Sequence, residues 1–330
     1  MKAITYRAFG PASDVLTLED LPPPSPGPGE VVVDMAYSGV NPSDVKARAG
    51  ARAGVTSLPY PVIVPHSDGS GVISAIGEGV PEARLGQRVW IWNGQWQRAF
   101  GTAAQQIALP MLQTVPLPGS IDLETGATLG IPGLTACYTV FSGGPVQGKT
   151  VLVQGGNGTV GFLAVQLAKW GGARVIATAN PGTASRVRAV GADVVLDYAA
   201  PDLAAQILEA NAGRPVDHIV EVEFGRNAVT DTEVIAQNGR ICAYGSAQIM
   251  QPELPFYPLM FKAVTLQMAL VYLLSPVERT ATILKLSDAL THGALHSPIA
   301  DIYAMEHAAQ AHMAVEKGGR SGSVLIRTGD

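Results

Sequence analysis

A glycine-rich turn between a short apolar strand and a helix is the feature that most constrains this chain of 330 residues. The G-x-G-x-x-G pattern is met by Gly156, Asn157, Gly158, Thr159, Val160 and Gly161. In such a turn the first glycine permits a tight bend, the second lets a pyrophosphate approach the backbone, and the third lets the helix pack on the strand. The helix N-terminus adds amide donors and a partial positive charge. The motif therefore predicts a dinucleotide-binding site.

The alternation of strand and helix continues beyond this turn. Short apolar segments at 175–177, 219–220, 241–243 and 264–270 follow one another with helical stretches between them. This order predicts an α/β fold with a doubly wound parallel sheet. Residues before 122 are instead rich in Gly and Pro, and strand signals at 31–37, 71–76 and 88–92 predict an irregular β domain.

We expect three segments: 1–122 forms the first part of a catalytic domain, 123–272 the dinucleotide-binding domain, and 273–330 a return to the catalytic domain. The last segment contains helical periodicity at 277–292 and a final strand at 323–326. Because both lie beyond the predicted sheet, we expect them to fold back onto the first domain.

The end of the second strand indicates which dinucleotide is bound. An NAD site usually has an acidic residue about 20 residues beyond the glycine motif, but this strand ends with Thr178, Ala179 and Asn180. We assign Thr178, Asn180 and Arg186 to the cofactor, Arg186 because guanidinium matches a 2'-phosphate. A solvated helix face is the alternative for Arg186 and our assignment for Arg188. NADPH is the predicted cofactor.

Composition excludes several classes of function. Apolar residues make up 47% of the chain and charged residues 15%, which suits strands buried on both faces. A net charge of −5 without a basic run argues against nucleic-acid partners. The longest apolar run is too short for a membrane span, and the N-terminus lacks the apolar core of a signal peptide. We therefore expect a cytoplasmic protein that binds neither nucleic acid nor membrane.

Further motifs are spread along nearly the whole chain. They are Gly39-Val40-Asn41-Pro42-Ser43-Asp44, Gly69-Ser70-Gly71, Gly86-Gln87-Arg88-Val89, Gly130-Ile131-Pro132-Gly133-Leu134-Thr135, Gly191-Ala192-Asp193, Gly239-Arg240-Ile241 and Gly245-Ser246. With these motifs the chain resembles the zinc-independent, zeta-crystallin-like quinone oxidoreductase branch of the medium-chain dehydrogenase/reductase superfamily.

The resemblance implies a GroES-like catalytic domain, a Rossmann cofactor domain, a substrate cleft between them and a homodimer built by sheet extension. It also implies that Thr135 lies near the nicotinamide amide and Tyr198 near the adenosine phosphate. Gly245 and Ser246 are expected beside the nicotinamide or the pyrophosphate.

Zinc-dependent relatives in the same superfamily need a thiolate and an imidazole as catalytic ligands. At the corresponding positions this chain has Asn41 and Ser67. His66 is one residue out of register, so it is either a polar residue near the substrate or a structural histidine. With two cysteines in the chain, a four-cysteine zinc lobe is impossible. We predict no metal.

Without a metal, the protein must orient the nicotinamide and stabilise charge on the substrate oxygen. Asn41 is the predicted donor to that oxygen, with a turn-forming role as the alternative, and Ser43 is a possible proton route. We assign Lys46, His66 and Trp92 to the substrate site. Lys46 departs from the tyrosine that many relatives have there.

Three hypotheses for function follow from these assignments. The first is NADPH-dependent reduction of quinones or other conjugated carbonyls by hydride transfer. The second is reduction of enoyl thioesters or enones on the same scaffold, and the third is a non-enzymatic, crystallin-like protein that binds NADPH. Turnover of a simple quinone separates the first from the third, and a series of enoyl substrates separates the first from the second.

Overall fold

The computed structural model describes residues 1–52 and 54–329. The chain divides into two compact units. The first unit comprises Met1–Ile131 and Ser297–Asp330, and the second comprises Pro132–His296. No helix in the part of the chain that the structure describes is long and apolar enough to cross a membrane.

The strands are named in chain order. They are β1 (Lys2–Thr5), β2 (Thr17–Asp20), β3 (Glu30–Val40), β4 (Asp68–Ile76), β5 (Arg88–Ile91), β6 (Gln106–Pro110), β7 (Thr114–Pro116), β8 (Thr150–Val153), β9 (Arg174–Ala179), β10 (Val194–Asp197), β11 (Val216–Glu221), β12 (Ile235–Ala243), β13 (Thr265–Met268), β14 (Ile299–Ala304) and β15 (Ser323–Arg327).

The α-helices are named in the same way. They are α1 (Ala12–Val15), α2 (Pro42–Arg48), α3 (Leu123–Gly126), α4 (Leu134–Phe141), α5 (Thr159–Trp170), α6 (Ala184–Ala189), α7 (Leu203–Ala210), α8 (Phe224–Val234), α9 (Phe256–Phe261), α10 (Pro276–Thr291) and α11 (Ala308–Lys317).

A seven-stranded sheet organises the first unit. Its strands run in the order β14-β15-β3-β4-β5-β7, and β6 pairs with β3 off this path. The long strand β3 contains the β-branched run Val31-Val32-Val33, all buried, which suits a central strand. Residues near the C-terminus complete this sheet, because β15 pairs with β3 in the register Val324 to Val40.

The second unit is a six-stranded parallel sheet in the order β10-β9-β8-β11-β12-β13. Strand β8 is buried throughout, as expected of a parallel sheet covered on both faces. The predicted doubly wound α/β fold is thereby confirmed. Because the strands are parallel, their carboxyl ends meet at one edge, where such folds bind ligands.

The units of the structure differ from the segments expected from sequence, 1–122, 123–272 and 273–330. Helix α10 belongs to the second unit, and the chain re-enters the first unit only at Ser297. The physical reason is that α10 packs on α4, with the Cys137 thiol 3.5 Å from the Thr282 carbonyl oxygen. At the other boundary, α3 packs on strands β4 and β5 of the first unit.

Candidate functional site

The glycine loop joins β8 to α5 in the second unit. Gly158 precedes the first turn of α5, which Thr159 and Val160 begin. A side chain at Gly161 would overlap the Gly155 carbonyl oxygen, so only glycine lets the helix approach the loop this closely. The residue that turns the chain is Gly155, with φ +71°, which lies one position before the motif and which the sequence analysis missed.

Thr178 lies beneath this loop. It is buried near the end of β9, and its hydroxyl accepts a hydrogen bond of 3.0 Å from the Gly155 N–H. The Thr178 carbonyl oxygen accepts a second bond, of 2.7 Å, from the Gly156 N–H. The structure therefore assigns Thr178 to holding the loop, whereas the sequence analysis expected it to contact the cofactor.

Arg186 is positioned beside the glycine loop. Its Nη1 donates a hydrogen bond of 2.6 Å to the Asn157 side chain, and its guanidinium lies 4.1 Å from the centre of the Phe162 ring. Partial burial lowers the pKa of Arg186 from its ordinary value. Arg188 is exposed on α6 and donates to the Val195 carbonyl oxygen, as a residue of a solvated helix face can. Of the two arginines, Arg186 is the one at the loop.

Asn180 and Tyr198 follow the ends of β9 and β10. The Asn180 side chain accepts a hydrogen bond of 2.9 Å from the Gly182 N–H and so caps a short turn. Tyr198 is 44% exposed. No carboxylate replaces Asn180 at the end of β9, where an NAD site would have one.

Gly245 and Ser246 follow the end of β12. A side chain at Gly245 would overlap the Val222 carbonyl oxygen. The Ser246 hydroxyl accepts from the Gly225 N–H at 2.9 Å and donates to the Ile249 carbonyl oxygen at 2.5 Å, which fixes the turn. The predicted residues at the ends of β8, β9, β10 and β12 therefore share the carboxyl edge of one sheet. Thr135 lies elsewhere in the unit, buried in α4.

Asn41 is the centre of the predicted catalytic residues in the first unit. It is the N-cap of α2, and its backbone N–H donates a hydrogen bond of 2.8 Å to the Asp44 carboxylate. Its side-chain Nδ2 donates 2.8 Å to Asp68. Asn41 is also buried. The turn-forming role that we weighed as an alternative is therefore present in the structure.

Two carboxyl groups next to Asn41 have strongly shifted acidities. Burial raises the pKa of Asp44 to about 7. Burial, with the nearby Asp44 charge, also raises the pKa of Asp68 well above its ordinary value. Sequence reasoning missed Asp68, because only the pairing of β3 with β4 brings it to Asn41. A buried carboxyl near its neutral form can hold or release a proton near neutral pH.

His66 belongs to a buried polar cluster. Its Nδ1 lies 2.8 Å from the Ser38 hydroxyl, and its Nε2 lies 2.9 Å from Nε2 of His312. Burial lowers the pKa of both imidazoles. Because His66 is fully buried and both ring nitrogens have partners, its geometry favours the structural role over the assignment to substrate.

The other predicted substrate residues lie nearer the surface of the first unit. Ser43 is half-buried and Lys46 is exposed, both on α2. Trp92 follows β5, half-buried, and its Nε1 donates 3.2 Å to the Leu112 carbonyl oxygen. Among residues 1–52 and 54–329, no group of three or more His, Cys, Asp or Glu side chains is placed to hold a metal ion.

A cavity of about 550 Å³ opens elsewhere in the second unit. It lies between α4, α10 and the end of α5, with Tyr138, Trp170 and Lys285 in its wall. Trp170 ends the helix that the glycine loop begins, so this cavity is at the opposite end of α5 from the loop. None of the predicted site residues lines it.

Comparison with known proteins gives matches over most of the chain. A family model described as "Alcohol dehydrogenase GroES-like domain" matches residues 27–143, and one described as "Zinc-binding dehydrogenase" matches residues 159–288. The chain is 31% identical to a quinone oxidoreductase of Rattus norvegicus over 248 residues, which covers 74% of this chain and 73% of that protein.

Two solved structures are similar to the whole chain. A quinone oxidoreductase of Pseudomonas syringae is 28% identical with a TM-score of 0.84, and the match covers 99% of both chains. A mycobacterial protein in complex with NADPH is also 28% identical with a TM-score of 0.84, over 99% of this chain and all of that one.

A parallel sheet with a glycine loop at its carboxyl edge, in one chain with a GroES-like unit, defines a medium-chain dehydrogenase/reductase. Within that superfamily, the identity to the rat protein shows that this chain belongs to the quinone oxidoreductase family. The resemblance inferred from sequence motifs is confirmed.

Proposed function

We propose that this protein reduces quinones or other conjugated carbonyls with NADPH, without a metal. The observation that carries the proposal is the position of Arg186, whose guanidinium lies at the glycine loop while the end of β9 has no carboxylate. The family membership and the NADPH complex of a similar structure support it.

The residues of the glycine loop fit a dinucleotide. The loop leaves no room for side chains at Gly161, and α5 presents the N–H groups of its first turn at the same edge. We assign the 2'-phosphate to Arg186 and the adenosine end to Asn180 and Tyr198. Bound NADPH would supply a hydride from its nicotinamide ring.

The chain's own contribution to the reaction is to orient the acceptor and to stabilise charge on its oxygen. The Asn41 amide has two N–H groups, and one of them is donated to Asp68. We assign the other to the substrate oxygen, so that Asp68 orients the donor. Ser43 is our proton route, and Lys46 and Trp92 are our substrate contacts.

Kinetic discrimination between cofactors tests the proposal. With a panel of quinones and enones, kcat/KM should be higher for NADPH than for NADH, followed by the absorbance of the reduced nicotinamide. Arg186→Ala should weaken the binding of NADPH by roughly 10-fold or more and change the binding of NADH little, because only NADPH carries the 2'-phosphate. Arg188→Ala is the matched control. Equal kcat/KM for both cofactors in the wild type would remove the basis of the assignment.

Metal independence has its own test. Asn41 and Ser67 cannot supply the thiolate and imidazole of a catalytic zinc site. We expect full activity after exhaustive chelation and no stoichiometric zinc by elemental analysis of the purified protein. One tightly bound zinc per chain, with activity lost on its removal, would contradict this part of the proposal.

We further propose a homodimer formed along β13 and a cytoplasmic location. Strand β13 is the end strand of its sheet, and α9 beside it in sequence exposes large apolar side chains. Phe256 is 65% exposed, Phe261 76% and Met268 64%. An exposed apolar surface next to an open strand edge favours pairing with a second copy. The free cysteines Cys137 and Cys242 suit a reducing compartment.

A further inference from the structure

A directed chain of hydrogen bonds runs from the glycine loop into the interior of the second unit. The Gly155 N–H donates to Thr178 Oγ1 at 3.0 Å. Thr178 Oγ1 donates to Gln154 Oε1 at 2.8 Å, and Gln154 Nε2 donates to Asp231 Oδ1 at 2.9 Å. The side chains of Gln154, Thr178 and Asp231 are all buried. This series of hydrogen bonds links the turn of the glycine loop to the carboxyl group of Asp231 on α8.

The direction of this chain depends on Asp231. A glutamine side chain has one donor end and one acceptor end, so an acceptor at Asp231 turns Gln154 Oε1 towards Thr178. The Thr178 hydroxyl must then donate to Gln154, which leaves its oxygen to accept from Gly155. If Gln154 turned over, the Thr178 hydroxyl would lose this acceptor, and a buried unsatisfied donor is costly.

Glu221 keeps Asp231 in its acceptor form. Both carboxyl groups are fully buried, and each shifts the pKa of the other. Burial and the neighbouring Asp231 raise the pKa of Glu221 far above its ordinary range, so Glu221 holds the proton of the pair. Asn227 Nδ2 lies 3.1 and 3.2 Å from the two Glu221 oxygens, and the Glu223 N–H also donates to Glu221.

We propose that the Glu221–Asp231 pair, acting through Gln154 and Thr178, is a positioning device that fixes the glycine loop for the dinucleotide. We assign these residues to holding the loop and not to contact with the cofactor. They tie the N–H of Gly155 inwards and so set the turn that α5 and its phosphate-binding end follow. This inference rests on the proposed binding of a dinucleotide, and it adds four residues that the glycine motif does not contain.

Substitutions at Thr178 test the chain at its middle link. Thr178→Val keeps the shape of the side chain and removes the hydroxyl, whereas Thr178→Ser keeps the hydroxyl. Thr232→Val is the matched control, because Thr232 is a buried threonine next to Asp231 whose hydroxyl donates within its own helix, to the Ala228 carbonyl oxygen. Hydrogen exchange of the Gly155 amide, measured by NMR without cofactor, reports the state of the loop directly.

We expect Thr178→Val to speed exchange at Gly155 by about 10-fold and to raise the NADPH Kd by roughly 3- to 10-fold. Its kcat at saturating NADPH should stay within about twofold of wild type, since the loop acts on binding. Thr178→Ser and Thr232→Val should match the wild type in exchange and Kd. Thr178→Val behaving like Thr232→Val in both measurements would overturn the inference.

Substitutions at Asp231 test the direction in which the hydrogen bonds of this series are donated. Asp231→Asn still offers an oxygen to Gln154 and should recover most of the NADPH affinity, whereas Asp231→Leu should lose affinity as Thr178→Val does. Equal Kd values for these two variants would contradict the role of Asp231 as acceptor. Absence of NADPH and NADH binding by the wild type would instead remove the proposed function itself, and with it the inference.

Discussion

At the residue scale, Asn41 combines a structural and a proposed catalytic role. Asn41→Ala should lower kcat by roughly 10- to 1000-fold with little change in NADPH affinity, because the donor acts in the transition state. Asn41→Asp should lower kcat further, since it places a negative charge beside Asp68 and opposite the anion that develops on the substrate oxygen. Steady-state kinetics measure both, and thermal melts identify any loss of folding. Wild-type turnover in both folded variants would make Asn41 purely structural.

The buried proton on Glu221 also predicts how stability depends on pH. Unfolded glutamate ionises near its ordinary pKa, whereas burial raises the pKa of folded Glu221 to about 10. The folded state therefore holds an extra proton between about pH 6 and 9, and this group's contribution to stability falls as pH rises. Asp231 and Tyr244 face Glu221, and burial holds the pKa of Tyr244 above its ordinary value.

Glu221→Gln tests this dependence, because glutamine can donate to Asp231 without titrating. The unfolding free energy of the wild type should fall more steeply between pH 6 and 9 than that of the variant, by roughly 1 kcal/mol per pH unit. Urea denaturation at several pH values measures the slopes. Parallel slopes would show that Glu221 is ionised in the folded protein.

Residue-level signals in the sequence were strong for backbone geometry and weak for buried polar contacts. Gly156, Gly158 and Gly161 were predictable because they belong to a motif with local steric demands, whereas Gly155 lies one position before it. Gln154 and Asp231 were not, since they are 77 residues apart in sequence and meet only after the sheet has formed. The contact between His66 and His312 could not be predicted for the same reason, because His312 lies on α11, 246 residues further along the chain.

At the scale of elements, helix α10 shows what local signals can and cannot predict. The periodicity at 277–292 predicted a helix, and the structure forms one at Pro276–Thr291. Ser275, Pro276 and Glu278 form its start, with a capping box and a proline in the first turn. Local signals could not predict which unit contains the helix, because its packing on α4 is a contact between residues far apart in sequence.

The cap of α10 gives a stability prediction. The Ser275 hydroxyl accepts a hydrogen bond of 3.3 Å from the Glu278 N–H. The Glu278 carboxylate accepts one of 3.1 Å from the Ser275 N–H. Ser275→Ala should lower the unfolding free energy by about 1 kcal/mol, and Ser275→Asp should retain most of it. Thr280→Ala, on the exposed side of the same helix, is the control. Identical denaturation midpoints for Ser275→Ala and Thr280→Ala would count against the cap.

At the scale of the whole molecule, the proposed dimer is the main prediction. Sedimentation velocity should give a mass near twice the 34.3 kDa of one chain. Met268→Asp places a charge on the open edge of β13 and should shift the protein towards the monomer. Leu112→Asp, at an exposed position of the first unit, controls for loss of an exposed apolar side chain. A wild type that sediments as a monomer at micromolar concentration would refute the dimer.

The position of β15 between β14 and β3 has a consequence for synthesis on the ribosome. The second unit is one continuous stretch and can fold as soon as residue 296 has emerged. The first unit begins earlier in the chain but must wait, because β15 is synthesised after the whole of the second unit. During that interval residues Tyr37–Val40 of β3, the partners of β15, present an unpaired strand edge, which is the kind of surface that chaperones bind. The first unit therefore begins to emerge from the ribosome before the second unit but can complete its fold only after it.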